Sequence, residues 1–280
     1  MKLRLTTLND NTAGRWDMVA EWGLSILVQT DELTVLLDTG QKDAVIHNAE
    51  ALKIDLHTVD KVVWSHGHVD HTGGLRPVLL RARKEMEIIV HPSALEPKYV
   101  RHPKEKERSI FIGMPYLKED IENLGAHFTL SQKPVWLSEH ILTTGEIPLT
   151  TDYEQVDADA QVKHEGHIQK DSIPDDQALI IKTGEGLVVV LGCAHRGIIN
   201  TLRYARQLTG VEHIHTVVGG AHLRGDTTGQ IERTINDLKE FGIEHLGLLH
   251  CTSMPAIVRL AQEFGDVVFY NNAGASFNIP

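Results

Sequence analysis

One eleven-residue stretch, SHGHVDHTGGL at positions 65–75, limits what this chain can be more than any other feature. Its first half carries three imidazoles and one carboxylate, at His66, His68, Asp70 and His71. Residues two apart in an extended backbone point to the same side, so His66 and His68 can hold one metal ion together. Asp70 and His71 can reach a second ion, because zinc, iron(II) and manganese accept imidazole and carboxylate ligands. The pattern favours metal binding over a polar loop whose histidines bond only to backbone.

The residues on either side place this stretch between a strand and a helix. Residues 61–64, Lys-Val-Val-Trp, form a short apolar run that is typical of a buried strand. Leu75, Val78 and Leu79 follow at helical spacing, with Pro77 in the first turn, where proline is tolerated. We therefore expect the ligands in a loop at the carboxyl end of a strand, where side chains can converge.

Three later apolar segments repeat this arrangement, in which a buried strand leads into a loop that carries histidine. They are residues 187–191 before Cys193 and His195, residues 214–218 before His222, and residues 246–249 before His250. Proteins of the α/β class gather binding groups at the carboxyl ends of their strands, so we expect these loops to meet. Amphipathic helices follow the strands, which predicts layers of helix, sheet, sheet and helix.

Composition excludes several classes of protein. With 41% hydrophobic and 23% charged residues, the 280-residue chain resembles an ordinary soluble globular protein. The formal charge of −11 argues against nucleic-acid binding, which needs a basic face, and no apolar run approaches the length of a membrane span. An anionic substrate stays open, because bound cations can dominate the local field. Only Cys193 and Cys251 are present and no secretory signal is visible, so we expect a cytoplasmic location.

Several motifs together resemble the metallo-β-lactamase superfamily. They are the HxHxDH run with Thr-Gly-Gly-Leu behind it, at 66–75, and the strand-ending Asp-Thr-Gly at 38–40. Further motifs resemble the branch of 7,8-dihydropterin-6-methyl-4-(β-D-ribofuranosyl)aminobenzene-5′-phosphate synthase-like proteins: DQAL at 176–179, GCAHRG at 192–197 with Asn200, GGAHL at 219–223 and HCT at 250–252. The resemblance implies an α/β (α+β) fold, a four-layer αββα sandwich, as a single domain over residues 1–280.

The resemblance also implies two divalent ions, with zinc favoured and iron or manganese as alternatives. Its ligand set carries over to His66, His68 and His195 for one ion, and to Asp70, His71 and His250 for the other. The superfamily takes its third histidine ligand for the first ion from a mid-chain motif that is not evident here, and His195 is our candidate for that ligand. Where the superfamily has a bridging Asp, this chain has Leu191-Gly192-Cys193, so whether Cys193, Asp176 or His222 ligates or bridges stays open. Asp38 is expected to orient a ligating imidazole, or simply to start a turn.

This ligand set predicts a hydrolase-type enzyme that uses a metal-bound hydroxide on an ester, lactone or phosphoester. We assign catalytic roles to Asp70, which is placed to orient the hydroxide, and to His222. The branch implies a related displacement of phosphate or diphosphate in pterin biosynthesis, hence a small, anionic or phosphorylated substrate. Two alternatives are a diiron redox protein, whose usual carboxylate at the position of His68 is missing, and a non-catalytic metal-binding sensor. The sequence gives no oligomeric state.

The middle of the chain carries little of the resemblance. Residues 92–133 contain several prolines and a charged run of mixed sign, so they form either a plain surface excursion or a lid over the metals. His164 and His167 lack a flanking apolar strand, which favours a mobile polar loop over ligands. Near the start, Trp16, Met18 and Trp22 either line a substrate pocket or pack at the edge of the core.

Overall fold

The computed structural model describes residues 2–224 and 229–280. Within them the strands are, in chain order, β1 (Leu3–Asn9), β2 (Ser25–Thr30), β3 (Thr34–Leu37), β4 (Lys61–Val63), β5 (Met86–Val90), β6 (Lys98–Arg101), β7 (Ser109–Phe111), β8 (Ala126–Leu130), β9 (Val135–Trp136), β10 (Ile141–Thr143), β11 (Ala160–His164), β12 (His167–Lys170), β13 (Ala178–Thr183), β14 (Gly186–Leu191), β15 (Ile214–Gly219), β16 (His245–Leu248) and β17 (Ser276–Ile279). The helices are α1 (Ala44–Ala51), α2 (Val69–Thr72), α3 (Leu75–Ala82), α4 (Lys118–Glu122), α5 (Ile198–Thr209), α6 (Gln230–Leu238) and α7 (Met254–Phe264). No helix among these residues is both long and apolar enough to cross a membrane.

Two large sheets form the centre of the fold. The first has the order β17-β1-β2-β3-β4-β5-β8 and the second has the order β16-β15-β14-β13-β10-β9. Strands β3, β4, β5 and β8 run parallel to one another, and so do β14, β15 and β16. The carboxyl ends of these parallel strands carry the loops in which the sequence predicts metal ligands.

Alternating side chains bury both faces of each sheet. On β14, Val188 and Val190 join a cluster between the two sheets, while Val189 packs into a second cluster beneath α5, α6 and α7. On β4, Val63 likewise faces the other sheet, while Val62 packs against α1 and α3. This period of two in side-chain direction is what lets a strand contribute to two cores. The predicted αββα sandwich is confirmed.

Residues 92–133 divide between two parts of the fold. Strand β8 pairs in parallel with β5 at the edge of the first sheet, so it belongs to the sandwich, with α4 packed beside it. Strands β6 and β7 instead join β11 and β12 in a separate four-stranded sheet of order β12-β11-β6-β7, which we call the small sheet. His164 and His167, expected in a polar loop, lie in strands β11 and β12. The turn between them, Glu165-Gly166, has positive φ at both residues, as the type I′ loop of a two-residue hairpin requires.

A buried ion pair attaches the small sheet to the HxHxDH loop. Lys98 is fully buried, and its Nζ donates to Asp171 Oδ2 at 2.8 Å and to Asp175 Oδ1 at 2.9 Å. Asp175 Oδ2 accepts from the backbone N–H of Gly67 at 2.8 Å. Burial disfavours the charged ammonium, but the two carboxylates outweigh it and raise the pKa of Lys98. One carboxylate thus holds both the small sheet and the loop between His66 and His68.

We expect Lys98→Met to lower the free energy of unfolding by about 3–5 kcal/mol, because it leaves two buried carboxylates without their counter-ion. Lys163→Met is the matched control, since Lys163 is exposed on β11 of the same sheet and its loss should change stability by less than about 0.5 kcal/mol. Denaturant unfolding followed by circular dichroism measures both. Equal stability of the two variants would contradict this account of the ion pair.

Candidate metal centre

The loops that follow β4, β14 and β16 bring the predicted ligands together as two groups. In the first group, His66 Nε2 lies 2.9 Å from His68 Nδ1 and 3.2 Å from His195 Nε2. The donor atoms of these three imidazoles all lie within 4.8 Å of one another. His66 and His195 are buried, and His68 borders a cavity. These are the residues that the sequence assigns to the first ion.

The second group consists of Asp70, His71 and His250. His250 Nε2 lies 3.2 Å from His71 Nε2 and 3.5 Å from Asp70 Oδ2. His71 Nε2 lies 3.8 Å from the same carboxylate oxygen. One carboxylate therefore faces two imidazoles, in the combination that the sequence assigns to the second ion. All six predicted ligands lie in one cluster.

Oxygen acceptors on the far side of the rings fix which imidazole nitrogens carry protons. Asp38 Oδ2 accepts from His71 Nδ1–H at 2.7 Å and from the Ser65 hydroxyl at 2.7 Å. Since the Ser65 proton goes to Asp38, Ser65 Oγ accepts from His66 Nδ1–H at 2.9 Å. Asn11 Oδ1 accepts from His250 Nδ1–H at 3.0 Å. Each of the three rings thus directs Nε2 into the cluster and offers a lone pair there whenever the imidazole is neutral.

The His66 Nε2 atom points at His195, and the Nε2 atoms of His71 and His250 point at each other. Both Nε2···Nε2 contacts are 3.2 Å long, so either a proton or a cation must lie between the two nitrogens of each pair. Burial lowers the pKa of His66 and His195 well below the usual range and that of His68 to about 4. Neutral imidazoles are the form that binds metal, so the donor set fits divalent cations.

His71 differs from its neighbours because two carboxylates face it. Burial by itself lowers the pKa of this ring, but Asp38 and Asp70 outweigh burial and raise it to about 9. Without a cation, His71 therefore keeps a second proton on Nε2, and a bound cation would displace that proton. Asp38 is itself fully buried, and its Oδ1 also accepts from the backbone N–H of Ser65 at 2.7 Å. A carboxylate behind a ligating imidazole orients the ring and makes it a stronger donor. Asp38 therefore holds both His71 and the start of the HxHxDH loop.

Backbone strain is concentrated at the same cluster. Four non-glycine residues around it have left-handed backbone angles: Asp38 (φ 58°), Ala194 (φ 50°), His222 (φ 48°) and His250 (φ 59°). Such conformations cost about 1–3 kcal/mol each and persist only where contacts with the surrounding structure hold the backbone in place. Three of these residues carry side chains that face the cluster, so the strain accompanies the aiming of polar groups.

His222, Asp176 and Cys193, whose role at the metal centre the sequence does not decide, lie in three different surroundings. His222 lies beside His195, with ring centroids 4.2 Å apart, and neither of its ring nitrogens has a hydrogen-bond partner among the described residues. Asp176 accepts from the backbone N–H of Arg196 at 2.8 Å, and burial raises its pKa to about 7. Cys193 Sγ lies 3.2 Å from His71 Nε2.

Two cavities open onto the cluster. The smaller, of about 310 Å³, has an apolar wall formed by Trp22, Val69, Val100, Ile112 and Ile173. Its polar lining includes His68, Asp70, His195, His222 and Arg224. The larger, of about 600 Å³, shares His195, His222 and Arg224 with it and extends past residues 152–158.

For Trp16, Met18 and Trp22 the sequence left pocket lining and packing at the edge of the core as alternatives; of these residues Trp22 lines the smaller cavity, and the other two line neither of the two cavities described. The Trp22 indole N–H donates to Asp70 Oδ2 at 3.1 Å, which ties the cavity wall to a predicted ligand. Met18 is buried, and Trp16 is 97% exposed. Sequence reasoning missed Lys98 and Asp175, which hold the HxHxDH loop. Asp175 could have been suspected, because it directly precedes the DQAL motif at 176–179. Nothing in the sequence indicates that Lys98 is buried.

Comparison with known proteins supports the motif-based interpretation. A model of the metallo-beta-lactamase superfamily matches residues 23–157. The chain is 30% identical over 278 residues to 7,8-dihydropterin-6-methyl-4-(beta-D-ribofuranosyl)-aminobenzene-5′-phosphate synthase of Methanocaldococcus jannaschii, covering 94% of this chain and 92% of that protein. It is also 29% identical over 257 residues to an uncharacterised protein of the same organism, covering 91% and 93% of the two chains.

A solved structure agrees with these matches. The crystal structure of Tm1679, described as a metal-dependent hydrolase of the beta-lactamase superfamily, superimposes with a TM-score of 0.84 at 29% identity and covers 99% of each chain. Sequence, fold and loop motifs thus point the same way. The chain belongs to the metallo-beta-lactamase superfamily, in the branch of the dihydropterin-linked phosphate synthase.

Proposed function

We propose that this protein is a metal-dependent enzyme that holds two divalent cations, zinc before iron or manganese, and acts on a phosphoester or diphosphate bond of a small molecule. The observation that carries the proposal is that His66, His71 and His250 all direct Nε2 into one buried cluster, each held by an oxygen acceptor at Nδ1 behind its ring. Imidazole nitrogens that converge in this way beside a carboxylate are the donor set that a divalent cation needs. The ligands open directly onto a cavity, as a catalytic site requires.

The ions would supply the chemistry common to such sites, lowering the pKa of a water molecule and polarising the bond that breaks. His66, His68 and His195 would hold one ion, and Asp70, His71 and His250 the other. Asp70, anchored by the Trp22 indole, is placed to orient the attacking group. His222 presents unpaired ring nitrogens beside His195, so it is placed to exchange a proton with the substrate. Apolar side chains of the cavity wall would contact the apolar part of a bound substrate.

A phosphorylated substrate is favoured over a lactone or a simple ester. The relative that is 30% identical to this chain is named for a product that carries a 5′-phosphate and a dihydropterin. Arg224 contributes a guanidinium to both cavities, next to His195 and His222. Guanidinium groups recognise phosphate oxygens through paired hydrogen bonds, which suits a phosphate bound beside the ions.

The same relative favours a second candidate reaction at this site, in which an amine rather than water displaces diphosphate from a dihydropterin. Two cavities that meet at His195 and His222 give room for two reacting groups. The discriminating substrate is a dihydropterin with a diphosphate on its 6-methyl group. We would assay diphosphate release with and without 4-(β-D-ribofuranosyl)aminobenzene 5′-phosphate. Release that depends on the amine identifies a synthase, and release without it identifies a hydrolase.

We expect the purified protein to hydrolyse p-nitrophenyl phosphate or its diester faster than a lactone. Chelation should abolish this activity, and zinc or manganese should restore it. His68→Ala should reduce turnover by more than about 100-fold, since loss of even an outer partner of a metal ligand costs about 10–100-fold. His167→Ala, which removes an exposed imidazole on β12, should leave the rate unchanged. Chelator-resistant turnover, or equal effects of the two variants, would refute the proposal.

We expect Asp38→Asn to weaken binding of the second ion by about 10–100-fold, because the amide cannot both orient His71 and increase its basicity. Competition between the protein and a chromophoric chelator gives the affinity of each ion. The control is Asp120→Asn, which changes an exposed carboxylate on α4. Unchanged affinity in the Asp38 variant would mean that His71 does not bind metal.

A further inference from the structure

We propose that Asp175 is a positioning residue for His68 and thereby sets how tightly the first ion is held. Asp175 can have this role only if His66, His68 and His195 hold a cation, so the inference rests on the proposed function. It goes beyond that function because Asp175 lies outside the ligand set and acts through the backbone of the ligand loop. It also separates the two ions, since the ligands of the second have a different support.

Hydrogen bonds fix the backbone on both sides of His68. The N–H of Gly67, just before it, donates to Asp175 Oδ2 at 2.8 Å. The N–H of Val69, just after it, donates to the carbonyl of Ile112 at 2.7 Å. Ile112 directly follows β7 of the small sheet. His68 therefore lies between two hydrogen bonds, neither of which involves a strand of the two large sheets.

Lys98 connects these two contacts. Its carbonyl accepts from the Ile112 N–H at 2.9 Å, and its Nζ donates to Asp175 Oδ1 at 2.9 Å. Gly67, Lys98 and Asp175 are all buried, so a Gly67 N–H that lost its acceptor would pay the cost of an unsatisfied buried donor. One residue of β6 thus holds both groups that fix the backbone around His68.

The ligands of the second ion are supported from elsewhere. The carbonyl of Asp70 accepts from the Leu24 N–H at 3.1 Å, and the carbonyl of His71 accepts from the Thr39 N–H at 2.8 Å. Leu24 directly precedes β2, and Thr39 lies two residues after β3, so these bonds lead to the first large sheet. A change at Asp175 should therefore act on the first ion and spare the second.

Asp171 offers a matched comparison for Asp175. Its Oδ2 accepts from Lys98 Nζ at 2.8 Å, and its Oδ1 accepts from the Ile173 N–H at 2.8 Å. Both carboxylates are buried, and each binds the same lysine and one backbone N–H. They differ in which N–H they bind, because that of Gly67 adjoins a ligand and that of Ile173 does not. A loss of metal affinity confined to the Asp175 variant would come from the loop and not from the ion pair.

The test measures zinc binding to the full-length chain by competition with a chromophoric chelator. His195→Ala and His250→Ala each remove a ligand of one ion, so they show which measured affinity belongs to which ion. We expect Asp175→Asn to weaken the first ion by about 10–100-fold, the usual cost of losing a group that supports a metal ligand. A single amide oxygen cannot accept from both of the present donors. Asp171→Asn should leave both zinc affinities unchanged.

A combined variant shows whether Asp175 acts through His68. In a His68→Ala background, Asp175→Asn should have no further effect on the first ion, because the side chain that it positions is gone. Asp175→Glu keeps the charge that Lys98 needs but displaces the oxygens by one methylene, so it should also weaken the first ion. It carries the test if the Asn variant does not fold, which circular dichroism reports.

Several results would overturn the inference while the proposed function stands. They are unchanged zinc affinity in the Asp175 variants, equal losses in the Asp175 and Asp171 variants, and a further loss in the His68→Ala background. If the unmodified chain binds no zinc, the proposed function fails and the inference fails with it.

Discussion

The buried carboxylate of Asp38 is the contact on which the rest of the site depends. It accepts the Ser65 N–H, the Ser65 O–H and the His71 Nδ1–H, each at 2.7 Å. Because its two oxygens are satisfied, it can be buried at modest cost, and it fixes the tautomer of His71 directly and that of His66 through Ser65. Without it, the rings would be free to turn their Nδ1 atoms inward. The geometry of the cluster is thus set by Asp38 and Ser65, which contact the predicted ligands from behind.

The sandwich supplies what a single loop cannot. His66 and His71 follow β4 in the first sheet, whereas His195 and His250 follow strands of the second sheet. The two shortest ring contacts, His66 to His195 and His71 to His250, therefore both cross between sheets. Each brings two imidazole nitrogens close enough to share one cation. Metal binding, as proposed above, would then help to hold the two halves together in addition to supplying chemistry.

The sequence predicts the part of the site built by strand-end loops of the sandwich better than the part built by the small sheet. Apolar runs that end in histidine loops can be recognised locally, which is why the sequence alone predicts His195 and His250 as candidate ligands. The small sheet has no such signature, because β6 pairs with β11, some sixty residues later, and both are short. Lys98 and Asp171 are likewise 73 residues apart, and neither predicts the other. Long-range pairing of short polar segments is decided by tertiary packing, which local patterns do not encode.

This division has a functional consequence. The side of the cavity that carries the predicted ligands is built by loops at the strand ends of the sandwich. In its apolar wall, Val100 lies on β6 of the small sheet and Ile112 directly follows β7. Substitutions in that wall can change which substrate fits without touching a ligand. The two parts are nevertheless joined, because Asp175 bonds to Lys98 of the small sheet and to Gly67 of the ligand loop. A shift of the small sheet on substrate binding would therefore reach His66 and His68 through one carboxylate, so substrate fit and metal geometry are not independent here.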